Sequence, residues 1–290
     1  MDGDSQRDLD GPRGPDGRIQ HPKDRHRNLV WLASYPKSGN TWLRFFLHAY
    51  LAGKTDISCL GGPGDHGDLQ KVWYEMVTPV PLEKITGCDG IFIRTAALYA
   101  LSSHTADDLF VKTHCARRNV YGVEMMPSGL SKGAIYLVRD PRDIAVSFSH
   151  HLGKSIDDTI TTMQKYAWMW KETRGQYIST WSDHVESWLK TPFPTLLVRY
   201  EDMKAGLAWE PIVKAVVGEV DPDKLKWAVE QTSFEKLQAQ EKEKGFREKS
   251  DKQDFFFRKG KSTWREVLTP EQVTRIQNDH GEMMKRLNYL

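Results

Sequence analysis

The sequence predicts an α/β fold: a single domain with a central parallel β-sheet flanked by helices on both faces. Three stretches predict it. Residues 29–34, 134–138 and 193–202 each carry an apolar run too short for a helix and suited to a buried parallel strand. Each run ends in polar residues. After the first two, the pattern changes within a few positions to helical spacing, the strand–turn–helix order of a wound α/β sheet. A chain of 290 residues is long enough to bury such a core.

Bulk composition narrows the classes. A formal net charge of +2 gives no uniform field, so neither nucleic acid nor a membrane surface is an expected partner. The three cysteines, Cys59, Cys88 and Cys115, show no metal-ligand or redox spacing and suit reduced thiols in the cytoplasm. No apolar run reaches membrane length, so a soluble, cytoplasmic protein is expected. Residues 1–28 are rich in Asp, Arg, Gly and Pro and cannot bury enough surface to offset their ordering entropy. They are expected to form a disordered tail, leaving 29–290 as the folded domain.

The elements follow in order. Pro36 ends the first strand, and Lys37-Ser38-Gly39-Asn40 makes a compact turn. From Thr41 the apolar residues Trp42, Leu43, Phe45, Phe46 and Leu47 come nearly all round the wheel, which describes a buried helix closed by Gly53. A buried strand, a tight turn and a buried helix leave the first helical N–H groups facing out from the sheet's carboxyl edge. With Lys37 beside them they form an anion site. It is not a Walker loop, which has two glycines and a late lysine. The plain alternative is a structural turn with a surface lysine.

Residues 59–68 read as irregular, and 69–77 and 94–103 as helices. No chemical constellation lies between 54 and 105, so this insert is a candidate pocket wall. Residues 109–114 form a strand ending on Lys112-Thr113-His114, where a lone histidine is by default satisfied or solvent-facing. The second strand–turn–helix runs from 134 to 152 through Arg139-Asp140-Pro141-Arg142-Asp143. Arg139 could pair with Asp140 or Asp143, Ser147 could lie on the helix surface, and His150 and His151 read as its polar face. Ser155 with Asp158 opens a helix expected to reach Trp170, and 180–189 is another. Trp168, Trp170, Trp181 and Trp188 belong mainly to core packing, with stacking on an aromatic acceptor as the alternative.

Beyond the third strand, residues 213–217, 225–229 and 234–237 belong to short helices. Residues 238–253 are dense in Lys, Glu and Gln and read as a mobile, solvated segment leading to three phenylalanines, 255–257, and Arg258-Lys259-Gly260. Thr269-Pro270 opens a final helix.

The octet Tyr35-Pro36-Lys37-Ser38-Gly39-Asn40-Thr41-Trp42 resembles the phosphosulfate loop of the cytosolic-type sulfotransferases, whose donor is 3′-phosphoadenosine 5′-phosphosulfate (PAPS) and whose product is adenosine 3′,5′-bisphosphate (PAP). Five motifs follow the family's order: this octet, Lys112-Thr113-His114, residues 136–150, the pair Tyr200-Glu201-Asp202 and Thr232-Ser233-Phe234, and Arg258-Lys259-Gly260. The resemblance covers 29–290, looks like a bacterial-type, small-molecule branch, and implies the family's P-loop-like nucleotide-binding fold. It implies that Lys37, Ser38, Gly39, Asn40 and Thr41 hold the 5′ anion, and that Arg139 and Ser147, with Arg258, Lys259 and Gly260, hold the 3′-phosphate. Tyr200, Thr232, Phe234 and Trp42 would surround the adenine. His114 would be the general base, with Lys37 and Lys112 offsetting charge on the transferring group.

No metal is implied. The acceptor would be a small, largely neutral organic molecule bound by the 54–106 insert and the 156–189 helices. Residues 238–261 would form a lid, mobile when empty and ordered when occupied. The turn before Trp264 is one residue shorter than the family's, which implies strained closure and fast product release. Two other classes remain open at this point: a kinase-like nucleotide enzyme, for which no Mg²⁺ ligand or glycine loop is evident, and a non-catalytic nucleotide-binding protein on the same fold.

Overall fold

A computed structural model describes residues 27–61, 64–165, 175–249, 255–257 and 264–290. The amino-terminal half contains β1 (Leu29–Ser34), α1 (Asn40–Ala52), β2 (His66–Gly67), α2 (Lys71–Val77), α3 (Gly87–Ser102), β3 (Leu109–Thr113), the short hairpin β4 (Asn119–Val120) and β5 (Val123–Glu124), and β6 (Ser131–Val138). Then come α4 (Pro141–Leu152), α5 (Ile156–Met163), α6 (Trp181–Leu189), β7 (Thr195–Arg199), α7 (Tyr200–Lys204), α8 (Trp209–Val217), α9 (Pro222–Gln231), α10 (Phe234–Lys244), α11 (Trp264–Val267) and α12 (Pro270–Arg286).

The main sheet has the order β2–β3–β1–β6–β7, and every neighbouring pair is parallel. The period of two along each strand divides the core. Trp31, Ala33, Ala134, Tyr136 and Val138 point to one face, where Leu98, Ile144, Trp181 and Met284 from α3, α4, α6 and α12 cover them. Leu32, Ile135 and Leu137 point to the other, under Leu43, Phe46, Ile212 and Ala228 from α1, α8 and α9. Helices therefore cover both faces, as the sequence predicts. The chain leaves β1 toward β3 on one side and returns to β6 on the other, which opens a crevice at their carboxyl ends. Because the strands are parallel, Lys37, His114, Arg139 and Tyr200 all follow strand ends on one edge.

Several boundaries differ from expectation. Asn28, grouped by composition with the tail, is buried, and its amide faces the carbonyl oxygens of Ser102, Thr105 and Asp107 at 2.8–3.1 Å. Residues 1–26 lie outside the described residues. Helix α3 starts seven residues earlier than expected, at Gly87, because Thr86 and Asp89 form a capping box. Helix α5 stops at Met163 instead of reaching Trp170. Thr161 and Thr162 donate back to the Asp157 and Asp158 carbonyl oxygens, a bond that weakens a helix. Trp168 and Trp170 lie outside the described residues. Strand β7 is an edge strand with Leu197 exposed, not a fully buried one.

In the 238–253 segment residues 250–253 lie outside the described residues, and the described part differs most from expectation. Helix α10 runs on to Lys244, and two of its polar side chains bind the rest of the fold. Gln240 donates to the Thr55 carbonyl oxygen (2.9 Å) and accepts from the Ile57 N–H (2.7 Å). The buried Glu241 carboxylate accepts from the N–H groups of Phe256 (2.6 Å) and Phe257 (2.8 Å). A run whose composition suggests solvent is thus tied down through its polar atoms. Among the described residues, no helix is long and apolar enough to cross a membrane.

Candidate active site

The turn between β1 and α1 is built from unusual backbone. Lys37 (φ 68°) and Gly39 (φ 98°) are both left-handed. Glycine is required at 39, since a Cβ there would lie 2.7 Å from Tyr200 Cδ2. Helix α1 has no side-chain cap and no acidic residue in its first turn, so its leading N–H groups and dipole are left for an external anion. Ser38 is buried, and its hydroxyl has no hydrogen-bond partner among the described residues. Asn40 serves the turn itself, its amide donating to the Leu32 carbonyl oxygen (2.8 Å) and to Ser34 Oγ (3.3 Å). Lys37 Nζ lies 4.5 Å above the Phe256 ring.

Arg139 crosses the crevice between β6 and β1. Its Nη1 donates to the Lys37 carbonyl oxygen (3.0 Å), and its guanidinium stacks 4.3 Å from the Tyr200 ring centre. Its buried Nε has no partner among the described residues. Asp140, one alternative partner for Arg139, instead binds Arg142 (2.7 Å). Ser147 is half-buried on α4. On the other side of Tyr200 lies Trp42, 6.1 Å between ring centres, with its indole N–H donating to the Thr232 carbonyl oxygen (2.8 Å). The Thr232 hydroxyl turns back to Ala228 O (2.8 Å). Phe234 joins the aromatic cluster of Phe45, Phe246 and Phe257, packing 5.9 Å from Phe257. Lys37, Arg139, Tyr200, Trp42 and Thr232 are therefore brought together, while Arg258, Lys259 and Gly260 lie outside the described residues.

His114 follows β3 beside the end of β1. Its Nδ1 lies 2.9 Å from the Ser34 carbonyl oxygen and 3.1 Å from Ser34 Oγ. A carbonyl oxygen can only accept, so Nδ1 carries the hydrogen and Nε2 keeps its lone pair. Burial, then the charge of Lys112, pushes the imidazole pKa down to about 3, so the ring is neutral at physiological pH.

Two further histidines, neither given a role by the sequence reading, join this region. His184 on α6 accepts from Tyr136 OH at Nδ1 (2.9 Å) and donates from Nε2 to the His114 carbonyl oxygen (3.2 Å), which fixes the backbone beneath His114. His151 is half-buried, and its buried Nδ1 has no partner among the described residues. Burial, then the charges of Lys37 and Lys112, lowers its pKa to about 4, so the half-buried ring is neutral at physiological pH and is not part of a fully solvated polar face. Its i, i+4 spacing from Ser147 is the signal that could have found it. Trp181 and Trp188 are fully buried, which settles them as core and not as an acceptor platform.

Beneath β3, the fully buried Arg94 pairs with Asp68 (2.5 Å), which also accepts from Thr113 Oγ1 (2.6 Å), so the strand end carrying Lys112 and His114 is pinned. Lys112 Nζ donates to Glu248 Oε1 (3.3 Å). The same carboxylate accepts from Thr41 Oγ1 (2.7 Å) and Arg44 Nη1 (2.7 Å), and Arg44 also binds Asp65 through Nε (2.8 Å). Burial works against the Glu248 charge, but Lys112 and Arg44 outweigh it and hold this carboxyl well below its usual range.

Known proteins share this architecture. A family model described as "Sulfotransferase domain" matches residues 27–288. Sulfotransferase 1B1 of Canis lupus familiaris is 26% identical over 222 residues, covering 72% of this chain and 65% of that protein. Luciferin sulfotransferase of Photinus pyralis is 28% identical, over 61% of this chain and 47% of its own length. The match thus spans less than two thirds of both proteins. Cytosolic sulfotransferase 17 of Arabidopsis thaliana is 25% identical over 91% of this chain and 76% of its own. Among solved structures, retinol dehydratase in complex with androsterone and inactive cofactor PAP superposes with a TM-score of 0.57 at 21% identity, covering 90% of this chain and 81% of the other. Mouse sulfotransferase SULT7A1 complexed with PAP gives 0.55 at 19% identity, covering 90% and 84%. These likenesses agree on the fold, and the family match over nearly the whole chain decides the membership: this chain belongs to the sulfotransferase domain family.

Proposed function

We propose that this chain is an enzyme that moves a sulfuryl group from PAPS to a hydroxyl or amine of a small organic acceptor. One observation carries the reading. The uncapped end of α1, with Lys37 and the orphaned Ser38 hydroxyl, opens on the same sheet edge as a histidine whose Nε2 is free to take a proton. The buried, unpartnered Arg139 Nε fits a second anion, as the 3′-phosphate of the donor requires. The PAP complexes of the similar structures lend the fold-level support.

The acceptor oxygen attacks sulfur, forming an O–S bond as the bond from sulfur to the bridging phosphate oxygen breaks. The electron pair of that bond leaves with PAP, and the acceptor's proton passes to His114 Nε2. Lys37, Thr41 and the α1 N–H groups stabilise the leaving 5′-phosphate, while Lys112 offsets charge on the sulfuryl oxygens. Without donor, burial and then the charge of Lys112 depress the basicity of His114, with Glu248 partly offsetting that charge. A bound donor, whose phosphosulfate carries more negative charge than one carboxylate, shifts the imidazole further toward the protonated form that results when it takes the acceptor's proton. A sulfuryl group carries less negative charge than a phosphoryl group, so turnover is expected to survive EDTA. The acceptor is expected to be small and largely neutral.

The test pairs calorimetry with a mass-spectrometric screen of alcohols, phenols and amines in the presence of PAPS. Tight binding of PAP, weak binding of ATP, and a mass gain of one sulfuryl group on some acceptor are expected. Equal affinity for adenosine 5′-monophosphate and PAP would overturn the donor assignment.

A further inference from the structure

Two of the donors that should meet the anionic end of PAPS, Thr41 and Lys112, already share one carboxylate, together with Arg44. Thr41 Oγ1, in the first turn of α1, reaches Glu248 Oε2, while Lys112 Nζ and Arg44 Nη1 reach Oε1. Glu248 sits in a defined turn. Lys249 N–H donates to the Phe246 carbonyl oxygen (3.1 Å), and Phe246 is buried with its ring 5.8 Å from Phe45 and 5.4 Å from Phe257. Nor is Glu248 needed to neutralise Arg44, since Asp65 binds that guanidinium through both Nε and Nη2. What Glu248 adds is a negative charge in front of Thr41 and Lys112. A carboxylate and the oxygens of a phosphate or sulfuryl group ask for the same converging N–H and O–H donors.

We propose that Glu248 is a specificity-determining residue of the donor site, whose carboxylate holds the place of the donor's 5′ anionic group on Thr41 and Lys112 until that group displaces it. The inference rests on the donor assignment made above. Two anions cannot share these donors without mutual repulsion, so binding is an exchange. A ligand with a 5′-phosphate must move Glu248, whereas one carrying only a 3′-phosphate binds with Glu248 in place. The exchange lowers the affinity for every 5′ anion, and the return of Glu248 helps PAP to leave. A hydroxyl or a water molecule at the 5′ position lacks the charge to compete, which gives the site a threshold for what it admits.

Calorimetry on the full chain, wild type and Glu248→Gln, with PAP and with adenosine 3′-monophosphate, tests this. The variant is expected to bind PAP about tenfold more tightly, the size of one charged hydrogen-bond exchange, with the monophosphate unchanged. Equal or weaker PAP binding, or an equal gain for both ligands, would overturn the proposal. Failure of PAP to bind either protein would instead overturn the donor assignment, and this inference with it. Should the variant not fold, hydrogen exchange on the wild type decides. The 246–249 turn should respond to PAP and not to adenosine 3′-monophosphate, and identical responses would refute the exchange.

Discussion

Helices α1 and α4 leave neighbouring central strands on the same edge of the sheet, yet their amino-terminal ends are finished in opposite ways. Helix α1 starts from a left-handed glycine with no side-chain cap and no nearby acid. Helix α4 starts from Asp140, whose Oδ1 accepts from the Arg142 N–H (2.9 Å), then has Pro141, which has no N–H to satisfy, and Asp143 in the first turn. The positive end of α4 is therefore answered from within the chain, and that of α1 is left open. An anion site is made here by omitting a side-chain cap, and because the cap position is a glycine this costs only about a few tenths of a kcal/mol of helix stability. The α4 unit contributes instead a guanidinium, Arg139, placed just ahead of its cap. One phosphate would thus be read by backbone and dipole, the other by a side chain.

If the chemistry belongs to the open α1 side, His114→Ala should have the largest effect. Turnover is expected to fall by roughly a hundredfold to ten-thousandfold with PAP affinity unchanged, measured by steady-state kinetics alongside calorimetry. A near wild-type rate would detach the base from this site. The two helices can next be told apart by ligand. Arg139→Ala should weaken PAP binding by about tenfold to a hundredfold and leave adenosine 5′-monophosphate alone, whereas Lys37→Ala should weaken both. A shared loss in the Arg139 variant would mean that both helices serve one phosphate.

Acid should act on the histidines around the open side. Burial, joined at His114 and His151 by lysine charge, lowers the pKa of His114 and His184 to about 3 and of His151 to about 4. As pH falls below about 6.5 the unfolded chain takes up protons at these positions and the folded chain does not. The unfolded state then binds more protons, so stability should decline from pH 6.5 toward pH 4. Thermal melts across that window check this, and a flat or rising midpoint would show the rings to be solvated. The smallest effect on ligand binding is expected at the closed end: Asp140→Ala removes both the cap and the buried partner of Arg142, so it should cost about 3–5 kcal/mol in denaturant unfolding and leave PAP affinity nearly unchanged. A large loss of affinity would mean that the α4 end also carries phosphate.

The parts of this contrast that were legible in the sequence rest on local signals. Pro36, Gly39 and an apolar helix mark the first unit, and the Arg139–Asp143 turn marks the second. Thr86 and Asp89 are an equally local signal, which the expectation of a helix starting at Arg94 leaves unused. His184 was out of reach, since it supports His114 through a carbonyl oxygen 70 residues away in sequence. Glu248 sat in a Lys- and Glu-rich run whose composition argues for solvent. Only the packing of Phe246 beside it, and the cations from α1 and β3, bring it inside. The edge position of β7 depends on strand order, which no single run of residues encodes.

Lys37 is a side-chain-bearing residue held at φ 68°. The left-handed region costs such a residue about 1–2 kcal/mol relative to the ordinary helical one, and glycine avoids this cost. Position 37 therefore separates two selection pressures. A library screened for heat resistance alone should drift there toward glycine or asparagine and lose its charge, while one screened for turnover should restore lysine and accept the lower melting point.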